Sequence, residues 1–419
     1  MNPHSSSTVF DADTCERCRR DFPSLRRVLN GHPIAFLDGP GGTQVPNAVI
    51  EAIADSYRFR NVNTHGNFAP SAELDEKLLQ VRAAVADFLG AAGGERISIG
   101  QNMTTLAFSL ARAIGRALRA GDEILITQLD HEANRGPWLK LQQLGAVVRE
   151  IPLLPTGQLD YAAMRDLITS RTRLVAFGCS SNAIGTVNDL HTARRLTREA
   201  GAMLVLDAVH YAPHFPVAVD ELDPDFLLCS AYKFYGPHVG ILYSRPGTLE
   251  ALDTDRIVVQ EEVAPYRIET GTLNGAAIEG VGAAIEYLAG FGRGASRRET
   301  VHDAIGAIGR YEHELGRFLW ESLREIRGIT LWGVDFSHTP RAPTVSFNLQ
   351  GVNSAAIARA LGEVGICVWD GDFYAPSPVR VLRAADGSML RVGFSMYNTR
   401  GEAERLVKVV AALARGSGG

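Results

Sequence analysis

Two side chains set the chemistry this chain can do. Lys233 stands in Ser230-Ala231-Tyr232-Lys233-Phe234-Tyr235-Gly236-Pro237, between the apolar runs Phe226–Cys229 and Val239–Tyr243. Both runs are short and apolar and read as buried strands. An ammonium between buried strands must be paired or desolvated, and desolvation lowers its pKa. A neutral lysine amine is the group that forms a Schiff base with an aldehyde. The plainer reading is a surface-loop lysine beside a Gly236-Pro237 turn. Asp207 ends another buried run, Met203–Asp207, and precedes Lys233 by 26 positions, room for a strand end, a connection and the next strand. Pyridoxal 5'-phosphate needs both groups: its aldehyde takes the lysine, and its pyridine nitrogen needs a carboxylate to stay protonated so that the ring accepts electrons. A helix N-cap or turn residue is the alternative for Asp207. Both features at matching strand ends favour the cofactor.

The elements around this pair follow from the apolar pattern. Strands are expected at 97–99, 123–127, 147–152, 174–180, 203–207, 226–229 and 239–243, with helices between them. That alternation predicts an α/β domain with a mainly parallel sheet and helices on both faces. Ligands of such sheets bind beyond the carboxyl ends of the strands. Thr104, His131, Asn182, Asp207 and Lys233 all fall there. The strand–turn–helix around Gly100-Gln101-Asn102-Met103-Thr104-Thr105 makes an anion site, because free N–H groups and the helix dipole point at the turn. Thr104 and Thr105 add hydroxyls; simple N-capping is the alternative.

Ser-Ala-Tyr-Lys after a strand, with Asp207-Ala208-Val209-His210 upstream, resembles the class V aminotransferases, whose best-known members are cysteine desulfurases. The resemblance spans roughly residues 34 to 410. It implies a fold-type I, pyridoxal-phosphate-dependent transferase with a seven-stranded sheet and a smaller α+β C-terminal domain. It implies that Thr104, Thr105, Ser230 and Tyr232 hold the phosphate, with tyrosine standing where desulfurases have histidine. His131 would stack on the pyridine ring. Asn182 and His210 would sit near the cofactor's 3-oxygen, and Asn182 near the substrate as well. Glu269-Thr270-Gly271-Thr272-Leu273-Asn274 is similar to the segment whose threonine serves the partner's phosphate, which implies a homodimer with shared active sites. Arg391, before Tyr397-Asn398-Thr399, matches the arginine that clamps the substrate carboxylate through paired hydrogen bonds. His65, in Asn63-Thr64-His65-Gly66-Asn67, matches a histidine at the active-site mouth, but a solvated loop histidine is an equal reading.

Three departures bear on the reaction. Gly66 and Trp369 stand where desulfurases carry arginine. In Gly365-Ile366-Cys367-Val368-Trp369-Asp370-Gly371-Asp372-Phe373-Tyr374-Ala375 the match needs no gap, and Tyr374 falls on the nucleophilic cysteine. Desulfuration needs a thiolate, which a phenol does not replace. Cys367 reads as a core residue in a strand. The expected reaction is β-elimination from a cysteine S-conjugate, with Lys233 as base and with His131 and Tyr374 positioning or protonating intermediates. The rivals are decarboxylation with oxidative deamination, epimerisation, transamination, desulfuration through Cys367, or noncatalytic cofactor binding.

Composition sets the outer bounds. The chain has 419 residues, of which 46% are hydrophobic, ample for a large and a small core. The expected division is an N-terminal extension (1–30), a large cofactor-binding domain (31–298) whose first segment also serves the small domain and the site mouth, and a small domain (299–419). A net charge of −5 gives no basic footprint for nucleic acid. The apolar runs are too short to span a bilayer, and no charged-then-apolar leader opens the chain. Five cysteines make no disulfide framework, which points to the cytoplasm. Cys15 and Cys18 form a lone C-x-x-C, read as an exposed helical turn because a structural zinc takes four ligands. Residues 1–7 are expected to be disordered.

Overall fold

The computed structural model describes residues 8–337 and 340–416. The expected disorder of residues 1–7 lies outside them. Seven strands form the large sheet: β1 (Ile97–Gly100), β2 (Glu123–Thr127), β3 (Val147–Ile151), β4 (Thr172–Gly178), β5 (Met203–Asp207), β6 (Phe226–Ser230) and β7 (Gly240–Ser244). Their order is β1-β7-β6-β5-β4-β2-β3, and only the pairings of β7 are antiparallel. Gly240 opens β7 opposite both Gly100 and Ser230, so the carboxyl ends of β1 and β6 meet there.

Strand side chains alternate between two faces. Leu204 and Leu206 enter one core and Val205 the other. Leu227 and Cys229 separate from Phe226 and Leu228 in the same way. The sheet is therefore buried on both faces, as the apolar runs imply.

The N-terminal helix α1 (Ala12–Arg19) corrects one expectation. Cys15 and Cys18 are buried, at 0% and 2% exposure. Their thiols donate to the main-chain carbonyls of Asn398 and Met396, at 3.3 and 3.8 Å. Arg19 pairs with Glu402 at 2.9 Å, and Phe22 packs edge-on against Tyr397 with ring centroids 5.0 Å apart. A helix read locally as solvated is in fact docked on the segment after Arg391.

Two more helices, α2 (Asn47–Phe59) and α3 (Ala69–Leu89), pack on α5 (Gly275–Ala289), while α4 (Met103–Gly115) follows β1. The long helix α6 (Arg297–Arg324) starts with a capping box between Ser296 and Glu299. Its first half, through Val301, Ile305 and Ile308, enters the large core, and Leu315, Leu319 and Leu323 enter the small one. The helix therefore straddles the two domains.

The small domain holds β8 (Ile329–Trp332), β9 (Thr344–Leu349), β10 (Trp369–Gly371) and β11 (Met389–Gly393), ordered β8-β9-β11-β10 and antiparallel. The expected single strand around residues 367–369 is split. Ile366–Cys367 pairs in parallel with Ala35–Phe36, and Trp369–Gly371 pairs with β11. One extended run thus serves two partners, and the N-terminal segment joins the small domain. Among the described residues no helix is long and apolar enough to cross a membrane.

One ion pair fixes the loop that carries Thr272. The Arg82 guanidinium of α3 donates to both oxygens of Glu269, at 2.7 and 2.8 Å, and Ile99 N–H donates to the same carboxylate at 2.6 Å. Both side chains are buried. Removing one partner leaves an uncompensated charge, which costs about 3–5 kcal/mol. Glu269→Ala is therefore expected to lower the unfolding free energy by about that much, read from denaturant midpoints at constant slope. A loss below about 1 kcal/mol would mean the pair is not the anchor.

Candidate active site

The carboxyl ends of β1, β2, β4, β5 and β6 surround one cavity. Its wall includes Thr104, His131, Asn182, Asp207, His210, Ser230, Tyr232 and Lys233. Eight residues chosen from the sequence are thus brought together from five segments. Arg391 joins them from β11, its Nη1 donating to the Asn182 carbonyl at 3.0 Å.

Lys233 follows β6 in a short 3-10 turn (Ala231–Lys233). Its amine donates to the Pro40 carbonyl and lies 4.8 Å from the centre of the Tyr232 ring. Burial, reinforced by the Arg391 charge, pushes its pKa down to about 7, while Asp207 and Asp38 pull the other way. The amine is therefore substantially neutral near pH 7. Asp207 caps β5, accepts Val209 N–H at 2.9 Å, and is pushed up to about 6 by burial. Arg391 is pushed down to about 9 by burial and stays cationic at neutral pH.

His131 is pushed down to about 4, by burial first and then by Lys233 and Arg391. Its Nδ1 accepts Ala133 N–H at 2.9 Å, so in the neutral ring Nε2 carries the proton. Asp130 fixes this turn. It accepts from Asn134 Nδ2 at 2.8 Å and from Gly178 N–H at 3.1 Å. A Cβ on Gly178 would come within 2.4 Å of Asp130 Oδ1, so only glycine lets the carboxylate approach. Burial and the neighbouring Asp207 push Asp130 up to about 7.

His210 Nε2 meets Thr344 Oγ1 of the small domain at 3.0 Å. Ser230 Oγ accepts Met103 N–H at 3.2 Å, joining the end of β6 to the start of α4. Tyr232 stacks on His238, 4.6 Å between ring centroids. Tyr374 is reached through its loop: Glu132 N–H donates to its carbonyl at 2.8 Å, and its ring lies 5.8 Å from that of His131.

Three expected residues lie elsewhere. Thr105 donates its hydroxyl to Asn102 O at 2.9 Å, its N–H is capped by Asn102 Oδ1, and it lines a neighbouring cavity with Thr272. Helix geometry causes this, since consecutive residues point about 100° apart and Thr104 already faces inward. Thr272 is separated from Lys233 within this chain. His65, exposed and 3.3 Å from Asp75, sits with Thr272 in a surface groove.

The structure adds residues that the sequence reading did not single out. Asp38 is pushed up by burial; Arg391, Trp369 and Lys233 oppose that rise. Behind His210, His214 Nδ1 meets Glu312 Oε2 at 2.7 Å, and Tyr235 donates to Glu312 Oε1 at 3.4 Å. Strand-end position gave a signal for Asp38. His214 and Glu312 lie 98 residues apart and gave none.

The donor set fits pyridoxal phosphate. The buried Asn182 Oδ1 and Ser180 Oγ, both on the cavity wall, have no protein partner. A helix start, a neutral amine and a strand-end carboxylate face the same space.

The buried amine also makes a prediction for cofactor-stripped protein. The folded pKa lies below the unfolded one, so the unfolded chain holds the extra proton between pH 7 and 10.5 and this group's contribution to stability rises across that window. At 1.36 kcal/mol per unit the cost below pH 7 is about 5 kcal/mol. Lys233→Met should raise stability at pH 7 and flatten its rise towards pH 10. Denaturant titrations with the same pH slope in both proteins would refute the depressed pKa.

The comparisons agree with this geometry. The family model for aminotransferase class-V matches residues 35–406. A cysteine desulfurase of Yersinia pestis (strain Pestoides F) is 35% identical over 408 residues, 94% of this chain and 96% of that protein. The Escherichia coli cysteine desulfurase CsdA superposes with a TM-score of 0.84 at 28% identity, covering 96% of this chain and 98% of that one. The apo cysteine desulfurase of Thermococcus onnurineus NA1 gives 0.85 at 27%, with the same coverage. The fold is that of the pyridoxal-phosphate-dependent desulfurases, and the chain belongs to the class-V aminotransferase family as a pyridoxal 5'-phosphate-dependent enzyme.

Proposed function

We propose that this enzyme cleaves the C–S bond of a cysteine S-conjugate by β-elimination. The carrying observation is that the Lys233 amine lines a cavity with no thiol among its described lining residues. Cys367 does not line the cavity, and burial raises its pKa, which lowers its thiolate fraction. Burial raises Cys179 and Cys229 as well. The relatives named cysteine desulfurase support a sulfur amino acid as substrate.

Roles follow from chemistry and position. When bound, the cofactor supplies an electron sink for the electrons left on Cα. Thr104, Ser230 and the start of α4 would hold its phosphate, with Tyr232 beside them, and Asp207 its ring nitrogen. Arg391 holds the substrate carboxylate with a guanidinium fork. The free amine of Lys233 takes the α-proton. His131 Nε2–H and the Tyr374 phenol are the groups that would give the departing thiolate its proton. The balance is RS–CH2–CH(NH3+)–COO− plus water giving thiol, pyruvate and ammonium.

A homodimer completes the proposal. Ile257, Val258 and Val259 are 63%, 104% and 86% exposed, and Ile257 and Val259 share a groove with Thr272. An exposed apolar run of this kind marks an interaction surface. A second copy seated there would carry Thr272 towards the other copy's phosphate site. Sedimentation of the holoenzyme should give a dimer, and Val258→Asp should weaken it. A fully loaded monomer at micromolar concentration would contradict the shared site.

Product analysis tests the reaction. S-substituted cysteine should give stoichiometric thiol, pyruvate and ammonia, and free cysteine should leave negligible persulfide on the protein. Lys233→Ala should cut turnover by roughly a hundredfold or more. Tyr374→Phe should keep cofactor content and slow turnover. Persulfide that disappears in Cys367→Ala would restore desulfuration. An inverted Cα with the thioether intact would mean epimerisation, and released carbon dioxide would mean decarboxylation.

A further inference from the structure

The wall beside Arg391 is aromatic. Trp369 lies directly opposite Arg391 in the β10–β11 register. Opposed residues of an antiparallel pair project to the same face, so the indole stands next to the guanidinium. Its Nε1 is 3.0 Å from where a Cβ on Gly41 would be, one residue after Pro40, the acceptor of the Lys233 amine. A hydrogen bond from the Trp369 side chain opposes the rise in the Asp38 pKa, which puts the indole beside that carboxyl as well. The ring is nevertheless 54% exposed.

Two more rings continue this wall. Phe373 lies 4.3 Å from Arg391 Cζ, and its carbonyl accepts Asn182 Nδ2 at 2.9 Å. Tyr374 reaches the His131 side and is 76% exposed. Both have left-handed backbones, with φ of 59° and 56°. Such conformations persist only where surroundings hold them, and here hydrogen bonds to both carbonyls do so. Phe373 is committed to the guanidinium. Trp369, beside Arg391, and Tyr374, beside His131, both stay exposed. The neighbouring carboxylate of Asp372 accepts Tyr374 N–H at 3.0 Å, which engages its charge locally.

We propose that Trp369 and Tyr374 clamp the side chain of the substrate, and that this side chain ends in a flat apolar group such as an aryl or benzyl thioether. The proposal rests on the reading that an α-amino acid binds through Arg391, and it deepens that reading by naming the conjugate. Covering a phenyl group should strengthen binding tenfold or more over a methyl group.

The test uses holoenzyme and two substrate series. In the first, KM is measured for S-methyl-, S-propyl-, S-phenyl- and S-benzylcysteine. In the second, alanine, leucine, phenylalanine and homophenylalanine, which lack a leaving group, are titrated by the change in cofactor absorbance. KM should fall at least tenfold from S-methyl to S-benzyl, and homophenylalanine should bind at least tenfold tighter than leucine. Trp369→Ala should shrink both preferences to about twofold, and Trp369→Phe should restore most of them. Unchanged cofactor content and melting temperature guard against misfolding; if Trp369→Ala does not fold, the wild-type series still decide. Aromatic preference in the second series without thiol release in the first would support the clamp and sink the elimination. Thiol release with equal KM throughout would support elimination and sink the clamp. Tighter binding of trimethyl-lysine than of homophenylalanine would replace the apolar group by a cation.

Discussion

The structure is arranged around an amine held out of water without a contacting carboxylate. Lys233 donates a hydrogen bond to a carbonyl, that of Pro40, and packs beside the Tyr232 ring. Two acids pull its pKa up and one guanidinium pushes it down, but burial is the largest effect and leaves it about 7 instead of 10.5. An exposed lysine would stay charged and unreactive at neutral pH. The amine meets Pro40 of the N-terminal segment and feels the charge of Arg391 from the small domain, so both lie beside the end of the large sheet that carries it.

The turn carrying Lys233 is braced from three directions. Thr43 N–H donates to the Tyr232 carbonyl, and Tyr235 N–H donates to Thr43 Oγ1. Tyr235 has φ of +68°, unusual for a bulky residue. Its phenol accepts Met396 N–H from the segment after β11 and donates to Glu312 of α6. Movement of the small domain would therefore be felt at the lysine turn as well as at Arg391. The buried polar cluster behind the site makes this mechanical link, because leaving its groups unpaired is costly.

The sequence carried the sheet well because alternation and length are local properties. All seven strands fall within a few residues of the expected positions, and so do Asp207 and Lys233. What it could not carry are relations between distant segments. Cys15 and Cys18 looked solvated because the carbonyls that receive them are 383 and 378 residues away. Residues 367–369 looked like one strand because nothing local says that two partners divide it. Thr105 and Thr104 are equal in composition, and only the helix start decides which faces the cavity. Thr272 and His65 matched family segments, yet a single chain places them in a groove apart from Lys233.

Arg391 and Trp369 sit on paired strands, so on the proposed reading one rigid unit would meet two points of a substrate, its carboxylate and its side chain. The third point, the amine end, belongs to the large domain with Lys233 and Asp207. On that reading, three points fixed in one frame would define the handedness at Cα and leave one bond facing the lysine. Phe373 adds to this by stacking on the guanidinium, which restrains the fork before any carboxylate arrives. The Asn182 main chain does the same through its carbonyl, while the Asn182 side chain holds the Phe373 carbonyl. A single asparagine thus ties the aromatic loop and the carboxylate clamp to the end of the large sheet. On the proposed reading, the residues that orient the Cα–H bond towards Lys233 are the same ones that choose the side chain. Specificity and bond selection are therefore expected to change together when this strand pair is altered.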